Sequence, residues 1–311
     1  MLAQLQKAFP GDLRLIYRHF PLEMHDKAAL AMQASEAAGI QGKFWEMHDL
    51  LFARPEEWYG LSVDEFKDWI IGRAAELSID PQKFSTDLYS EKLVNMAEEA
   101  WEKNVAKGMT GTPLILINDR QYGGLSDYAN LEAVVRLVLL EKRQFSECPP
   151  MTIDSKKQYL AILRTEKGDI TLELYADKTP LAVNNFIFLA RQGWYNGVTF
   201  HRVIPGFVAQ AGDPSGTGFG GPGYGFDNEI SSRLSFDGPG VVGMANAGPG
   251  SNGSQFFITL AAASHLTGSY TIFGRVIAGI DVVESLTSRD PSKTIDLPPG
   301  DKIISVTIEE K

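Results

Sequence analysis

The residues best placed to do chemistry lie in one stretch, Phe200-His201-Arg202-Val203-Ile204-Pro205-Gly206-Phe207-Val208-Ala209-Gln210-Ala211-Gly212-Asp213. Its first half alternates. Phe200, Arg202 and Ile204 fall on one parity and His201, Val203 and Pro205 on the other, the pattern of a half-buried strand. Pro205-Gly206 breaks that strand. A second apolar run, Phe207-Val208-Ala209, follows and ends at Gln210 and a Gly-Asp turn. An arginine, charged at every relevant pH, thus stands a few residues from two aromatics and a carboxamide, on paired strands rather than on a mobile loop. The set offers a fixed hydrogen-bond donor beside an apolar surface, and it contains no Ser, Cys or Lys nucleophile.

About forty residues later comes Met244-Ala245-Asn246-Ala247-Gly248-Pro249-Gly250-Ser251-Asn252-Gly253-Ser254-Gln255-Phe256-Phe257. Its centre is small and turn-rich, so backbone groups lie open to a ligand. Its end, Gln255 to Ile258, reads as another strand, with Phe256 in the core. Together the two blocks resemble the cyclophilin family of peptidyl-prolyl cis/trans isomerases, from about Tyr159 to Glu309.

The resemblance implies a reaction in which no covalent bond is made or broken. Rotation about an X-Pro bond faces a barrier of about 18–20 kcal/mol, and an enzyme must bind the twisted amide better than either planar form. By resemblance Arg202 is the catalytic donor to the pyramidal proline nitrogen. Phe207 and Gln210 complete the catalytic set, Gln210 bonding the substrate backbone and steadying Arg202. Phe207, Val208, Phe257 and Leu266 form the proline socket. Val208 stands where the family usually has Met, so a slightly wider floor is expected. Ala245, Asn246 and Ala247 are expected to hold the peptide through main-chain bonds. Tyr270 and His265 fall at the rim, where many members carry His and Trp. With His265 there, weak binding of cyclosporin-type inhibitors is expected. His201 reads as a structural hydrogen-bonding residue. No cofactor and no metal are expected, because the five His are scattered without ligand spacing.

These residues must be positioned by strands. From Tyr159 the chain reads as short strands and Gly-rich loops, as an antiparallel barrel requires. Tyr159–Thr165 and Asp169–Tyr175 form a hairpin, Thr179–Gly193 a helix with Pro180 in its first turn, Ile280–Ser288 a second helix, and Lys302–Glu309 a closing strand. Gly216-Thr217-Gly218-Phe219-Gly220-Gly221 fits G-x-G-x-x-G, but Pro222-Gly223 follows where a helix should start, so it reads as a barrel loop beside the site. Asn252-Gly253-Ser254 reads as a turn rather than a glycosylation acceptor.

The first half is different. Helices are expected at His25–Gly39, Lys43–Phe52, Ser62–Leu77, from Asp80-Pro81, and at Ser90–Lys107, with Ser62-Val63-Asp64-Glu65 at capping-box spacing. Strands are expected at Asp12–Tyr17 and after Thr112-Pro113, and a closing helix at Asp127–Lys142. This half resembles the DsbA-like thioredoxin-fold oxidoreductases, whose redox site faces a cis Thr-Pro that Thr112-Pro113 matches. Their Cys-x-x-Cys and first strand have no counterpart here. The sole cysteine, Cys148, lies beyond the last helix, and dithiol chemistry needs two thiols in reach of each other.

The fold class expected is therefore two domains: an incomplete α/β thioredoxin-like domain with a helical insertion at 1–142, and a mainly-β cyclophilin-like closed antiparallel barrel with two helices at 159–311. Residues 143–158, with Pro149-Pro150, read as a semi-rigid linker. The expected activity is X-Pro isomerisation in polypeptides, with proline-containing chains and unfolded client proteins as partners, in the role of a folding factor. The rival readings are a non-catalytic proline-peptide binding module and, with further sequence upstream, a combined thiol-disulfide oxidoreductase and isomerase. The absent strand and Cys pair predict that the chain is a fragment whose upstream piece carries both, with an export signal. A degenerate domain that closes its sheet differently, or borrows a strand, is the competing reading. The compartment stays open: a full-length precursor is expected in the cell envelope or secreted, yet Met1–Pro10 contains no signal-peptide core. A net charge of −10 without a basic patch argues against nucleic acid. No run approaches eighteen apolar residues, so no membrane span is expected.

Overall fold

The structure is a computed structural model that describes residues 1–294 and 297–311. Contacts divide it into two compact units, Arg14–Gly124 and Met1–Leu13 together with Leu125–Lys311.

Along the chain run α1 (Leu2–Ala8), α2 (Ala28–Ile40), α3 (Phe44–Ala53), α4 (Pro55–Trp58), α5 (Val63–Ala74), α6 (Pro81–Leu88), α7 (Glu91–Ala106), the strands β1 (Leu116–Ile117) and β2 (Arg120–Gln121), and α8 (Tyr128–Leu140). The unit Arg14–Gly124 is helical because its starts are well written. Ser62 and Glu65 form the expected reciprocal capping box on α5, and Asp80 caps α6 with Pro81 at its first position. Ala34, Ala37 and Ala38 of α2 let that helix approach the buried Met47, Phe66, Ile70 and Phe84. Thr112-Pro113 is cis, as the resemblance implied.

The strand expected at Asp12–Tyr17 does not form a ladder, and the one after Thr112-Pro113 shortens to Leu116–Ile117, which pairs with Arg120–Gln121 across Asn118 and Asp119, both at positive φ. A strand exists only by virtue of a hydrogen-bonded neighbour, and a lone two-stranded ribbon is marginal. The local sequence satisfies the turn, and among the described residues no third strand pairs with this ribbon.

The larger unit holds β3 (Tyr159–Thr165), β4 (Gly168–Leu174), α9 (Pro180–Arg191), β5 (Val198–Thr199), β6 (Arg202–Ile204), β7 (Val208–Ala211), β8 (Val241–Met244), β9 (Phe256–Thr259), β10 (Ile272–Ala278), α10 (Ile280–Glu284) and β11 (Lys302–Glu310). The strands form one nine-stranded sheet in the order β5-β11-β3-β4-β10-β8-β9-β7-β6, every pair antiparallel. The sheet curls around Phe186, Tyr195, Phe256 and Phe273. It is open at one seam: β5 and β6 are its two ends, linked through Phe200-His201 rather than by a ladder. That differs from a fully closed barrel: β5 pairs only with β11, and β6 pairs with β7 and bridges Arg289 on its outer edge.

The α9 N-terminus is capped from a distance. Thr179 sends its hydroxyl to the Tyr175 and Ile272 carbonyls, and Glu229 accepts from the Leu181 and Ala182 amides at 3.0 and 2.8 Å. The α10 helix stops at Glu284, short of the expected Ser288.

Residues 143–158, expected as a semi-rigid linker, are tied to the barrel by specific contacts. The Phe145 amide donates to the Pro222 carbonyl at 2.8 Å, its ring packs on Phe188, and the Thr152 amide donates to Asn184 Oδ1 at 2.9 Å. Among the described residues no helix is long and apolar enough to cross a membrane, and no three His, Cys, Asp or Glu side chains gather as a metal set.

Candidate active site

Arg202 lies directly opposite Gln210 in the β6–β7 ladder. Its Nη1 stands 3.5 Å from Gln210 Oε1, and its guanidinium carbon lies 5.7 Å from the centre of the Phe207 ring. The Pro205-Gly206 turn makes this possible by folding the second strand back on the first. The β6 strand ends the sheet, but its outer edge is held too. Val203 and Arg289 exchange both main-chain bonds at 2.7 and 2.8 Å, and Arg289 Nε donates to the His201 carbonyl at 3.1 Å.

Gln210 is itself fixed. Its Nε2 donates to Gln255 Oε1 at 3.0 Å, while Gln255 Nε2 donates to the Gly218 and Gly220 carbonyls, each at 2.9 Å. With both Gln255 protons spent on carbonyls, its oxygen must face Gln210, so Gln210 must turn its own oxygen toward Arg202. The amides of the same two glycines are held by Asp213, which is fully buried. Asp213 Oδ2 accepts from the Gly218 and Gly220 amides at 2.7 and 3.0 Å, and Oδ1 from the Ser215 amide and hydroxyl at 2.8 and 2.6 Å. Burial pushes this carboxyl up, but the bonds from Ser215, Gly220 and Gly218 outweigh it and hold it below its usual value. Gly212, at φ +99°, is what brings Asp213 there: a Cβ would run into the Ser254 carbonyl and Gln255 Cα.

The apolar pocket is a separate cluster in which Val208, Phe236, Val241, Phe257, Ala263 and Ile272 are buried, with Phe207, Ala245, Leu266 and Tyr270 packed on it. Phe257 stacks on Phe236 at 5.3 Å and meets the Tyr270 edge at 5.7 Å. His265 lies flat against Phe207 at 5.7 Å and 20°. A cleft of about 590 Å³ follows, lined by Asn228, Asn246, Ala247 and Tyr270 among others. Asn246 is locked by bonds to Asn228 and Asn252, and the Ala245 amide donates to the Gln255 carbonyl.

The structure thus brings Arg202, Phe207 and Gln210 together beside the pocket formed by Val208, Ala245, Phe257, Leu266 and Tyr270, with His265 stacked on Phe207 and Asn246 and Ala247 lining the adjoining cleft. One expectation fails. His201 makes no side-chain hydrogen bond: both ring nitrogens are buried without a protein partner. Burial lowers its pKa to about 4, with the Asp213 charge acting in the opposite direction, and only its carbonyl meets Arg289. Sequence reading passed over Gln255 and Asp213. Their adjacency is created by Gly212 and by the pairing of β7 with β9; the visible trace was only a Gly-Asp turn and a Gln before an apolar strand.

The curled antiparallel sheet sets a guanidinium at the lip of an aromatic pocket. Residues 160–308 match the family model described as cyclophilin type peptidyl-prolyl cis-trans isomerase, and residues 1–136 match a thioredoxin model. The chain is 54% identical over 127 residues to peptidyl-prolyl cis-trans isomerase ppi1 of Schizosaccharomyces pombe, covering 40% of this chain and 82% of that protein. It is 42% identical over 173 residues to peptidyl-prolyl cis-trans isomerase B of Streptomyces anulatus, covering 50% of this chain and 99% of that protein. A crystal structure of a Cryptosporidium parvum cyclophilin type peptidyl-prolyl cis-trans isomerase in the presence of the dipeptide Ala-Pro aligns at 38% identity and TM-score 0.45, covering 49% of this chain and 99% of that one. The chain belongs to the cyclophilin-type peptidyl-prolyl cis-trans isomerase family. It carries that barrel on the same polypeptide as a thioredoxin-like region.

Proposed function

We propose that the barrel accelerates cis/trans rotation of X-Pro bonds in polypeptide chains, with Arg202 as the catalytic donor. At the rotational midpoint amide resonance is lost, and the proline nitrogen becomes pyramidal with a localised lone pair. Arg202 supplies N–H donors there that are charged at every relevant pH, and donors already in place stabilise the transition state without reorganising. Phe207, Val208, Phe257 and Leu266 take the proline ring. Ala245, Asn246 and Ala247 hold the neighbouring backbone, and His265 and Tyr270 close the rim.

The observation that carries this reading is the placement of the Arg202 guanidinium over Phe207 and beside the Gln210 oxygen, at the edge of an apolar cluster. The substrates are proline-containing segments of unfolded or flexible polypeptides, because a rigid neighbour would deny the bond its half-turn. The test is the rate of isomerisation of a short Ala-Pro peptide with the whole chain and with Arg202→Ala. Catalysis by the parent chain that vanishes in the folded variant supports the reading, and equal rates overturn it. A binding module without catalysis would instead bind the peptide and leave its isomerisation rate unchanged.

A further inference from the structure

Leu140, the last residue of α8, is buried in the barrel core, although the strands of that core begin only at Tyr159. It lies against Gly220, where a Cβ would run into the Leu140 side chain as well as Asp213. Four residues on, Gln144 Nε2 donates to the Gly221 carbonyl at 3.0 Å, and the Phe145 amide donates to the Pro222 carbonyl at 2.8 Å. Gly223, at φ +94°, comes so close that a Cβ would strike the Phe145 carbonyl and Gln144 Cβ. Phe145 is anchored in turn by its ring, which packs on Phe188 and Trp194. One short segment ahead of the first barrel strand therefore grips four consecutive residues of the glycine-rich loop, Gly220 to Gly223.

That loop supports the partner of Arg202. The carbonyls of Gly218 and Gly220 take both protons of Gln255 Nε2, Gln255 Oε1 accepts from Gln210, and Gln210 Oε1 faces Arg202. Asp213 holds the Gly220 amide, but the Gly220 carbonyl belongs to the next peptide plane. The orientation of that plane depends on what holds the chain just beyond it, and the Gln144 and Phe145 bonds hold the Gly221 and Pro222 carbonyls. If the plane turns, Gln255 loses an acceptor and its amide is free to reverse. Its NH2 would then meet the NH2 of Gln210, and a reversed Gln210 would present donors to a guanidinium that has only donors.

We propose that residues 140–145 form a positioning element of the isomerase site, with Leu140 and Gln144 as its positioning residues. They fix the Gly220 peptide so that Gln255 keeps its amide sense and Arg202 faces an oxygen. This assignment rests on the isomerase reading above and extends it: the rate of rotation answers to chain that precedes the barrel.

The experiment uses the full chain and its Gln144→Glu, Leu140→Ala and Leu140→Met variants, each with and without Gln255→Leu. Gln144 is exposed, so its substitution leaves folding intact even where Leu140→Ala does not. Two quantities are measured: kcat and KM on a short Ala-Pro peptide, and the side-chain amide signals of Gln210 and Gln255 in 15N-labelled protein. Gln144→Glu and Leu140→Ala are each expected to lower kcat about threefold, the scale of a change transmitted through a contact network, with little change in KM. Leu140→Met, which keeps the volume, is expected to retain the parent rate. Neither loss should add to that of Gln255→Leu, because both act through it. The Gln210 and Gln255 signals should move in Gln144→Glu. A Gln144→Glu variant with the parent's kcat or with unmoved glutamine signals overturns the proposal, as does a loss that persists in full on top of Gln255→Leu. A parent chain that fails to accelerate the peptide overturns the isomerase reading alone. The glutamine signals then still decide the positioning: a shift in Gln144→Glu supports it and unmoved signals overturn it.

Discussion

Arg202 and Gln210 face each other across the β6–β7 ladder, yet their side chains approach only to 3.5 Å. A charge-assisted N–H···O bond at full strength is nearer 2.7–2.9 Å. The contact aims the guanidinium without consuming it, and the remaining donors stay available to a substrate.

Arg202→Ala is expected to lower kcat/KM for a short proline peptide by roughly a hundredfold, the scale of losing one preorganised donor. Arg202 is only part-buried, so the circular dichroism spectrum and thermal midpoint should stay close to the parent's. An active, folded variant would refute its catalytic role.

Gln255→Leu is expected to reduce kcat/KM about tenfold, because Gln210 loses the acceptor that fixes its amide sense. The double variant with Gln210→Ala should be no worse than Gln210→Ala alone, since both act through one chain of bonds. Strict additivity in that cycle would show that Gln255 acts elsewhere.

His201 makes the fold acid-sensitive. Its pKa falls from 6.5 unfolded to about 4 folded, so the folded state resists protonation. Its stabilising contribution is complete above pH 6.5 and is lost as the pH falls from 6.5 to about 4. The full loss is on the order of 3 kcal/mol. In denaturant melts across that window, His201→Phe should show a shallower pH slope than the parent; parallel slopes would exclude the residue as the cause.

Glu229→Ala should cost about 1 kcal/mol of stability, the usual worth of an N-cap, because the Leu181 and Ala182 amides lose their acceptor. Amide exchange at these two positions should speed up ahead of the rest of the barrel. Uniform exchange changes would argue for a different role.

A cyclosporin-type ligand should bind the parent weakly and His265→Trp more tightly. The present imidazole lies flat on Phe207 and offers a smaller face than an indole. Nanomolar inhibition of the parent would contradict this.

Local chemistry determined much of this protein. Alternation of apolar residues around Glu166-Lys167-Gly168 wrote the β3–β4 hairpin, Ser62 and Asp80 wrote the starts of α5 and α6, and Pro205-Gly206 wrote the turn that sets Arg202 against Gln210. These signals act over a few residues and need no partner, so they are legible in a single chain. The two matched blocks carried much of the pocket for the same reason: each is a short run of chain whose strands pair with each other, β6 with β7 and β8 with β9. What tertiary structure alone decided are relationships between distant segments. Asp12–Tyr17 has the composition of a strand but no ladder, since pairing is supplied by a neighbour and not by propensity. Glu229 caps a helix that begins 49 residues earlier, His201 ends up neutral and without a side-chain partner because the assembled fold buries it, and Gln255 governs Gln210 only because β7 and β9 lie side by side. Burial and hydrogen-bond satisfaction are properties of the assembled fold, and the free energies that fix these side chains arise only once the strands are in place.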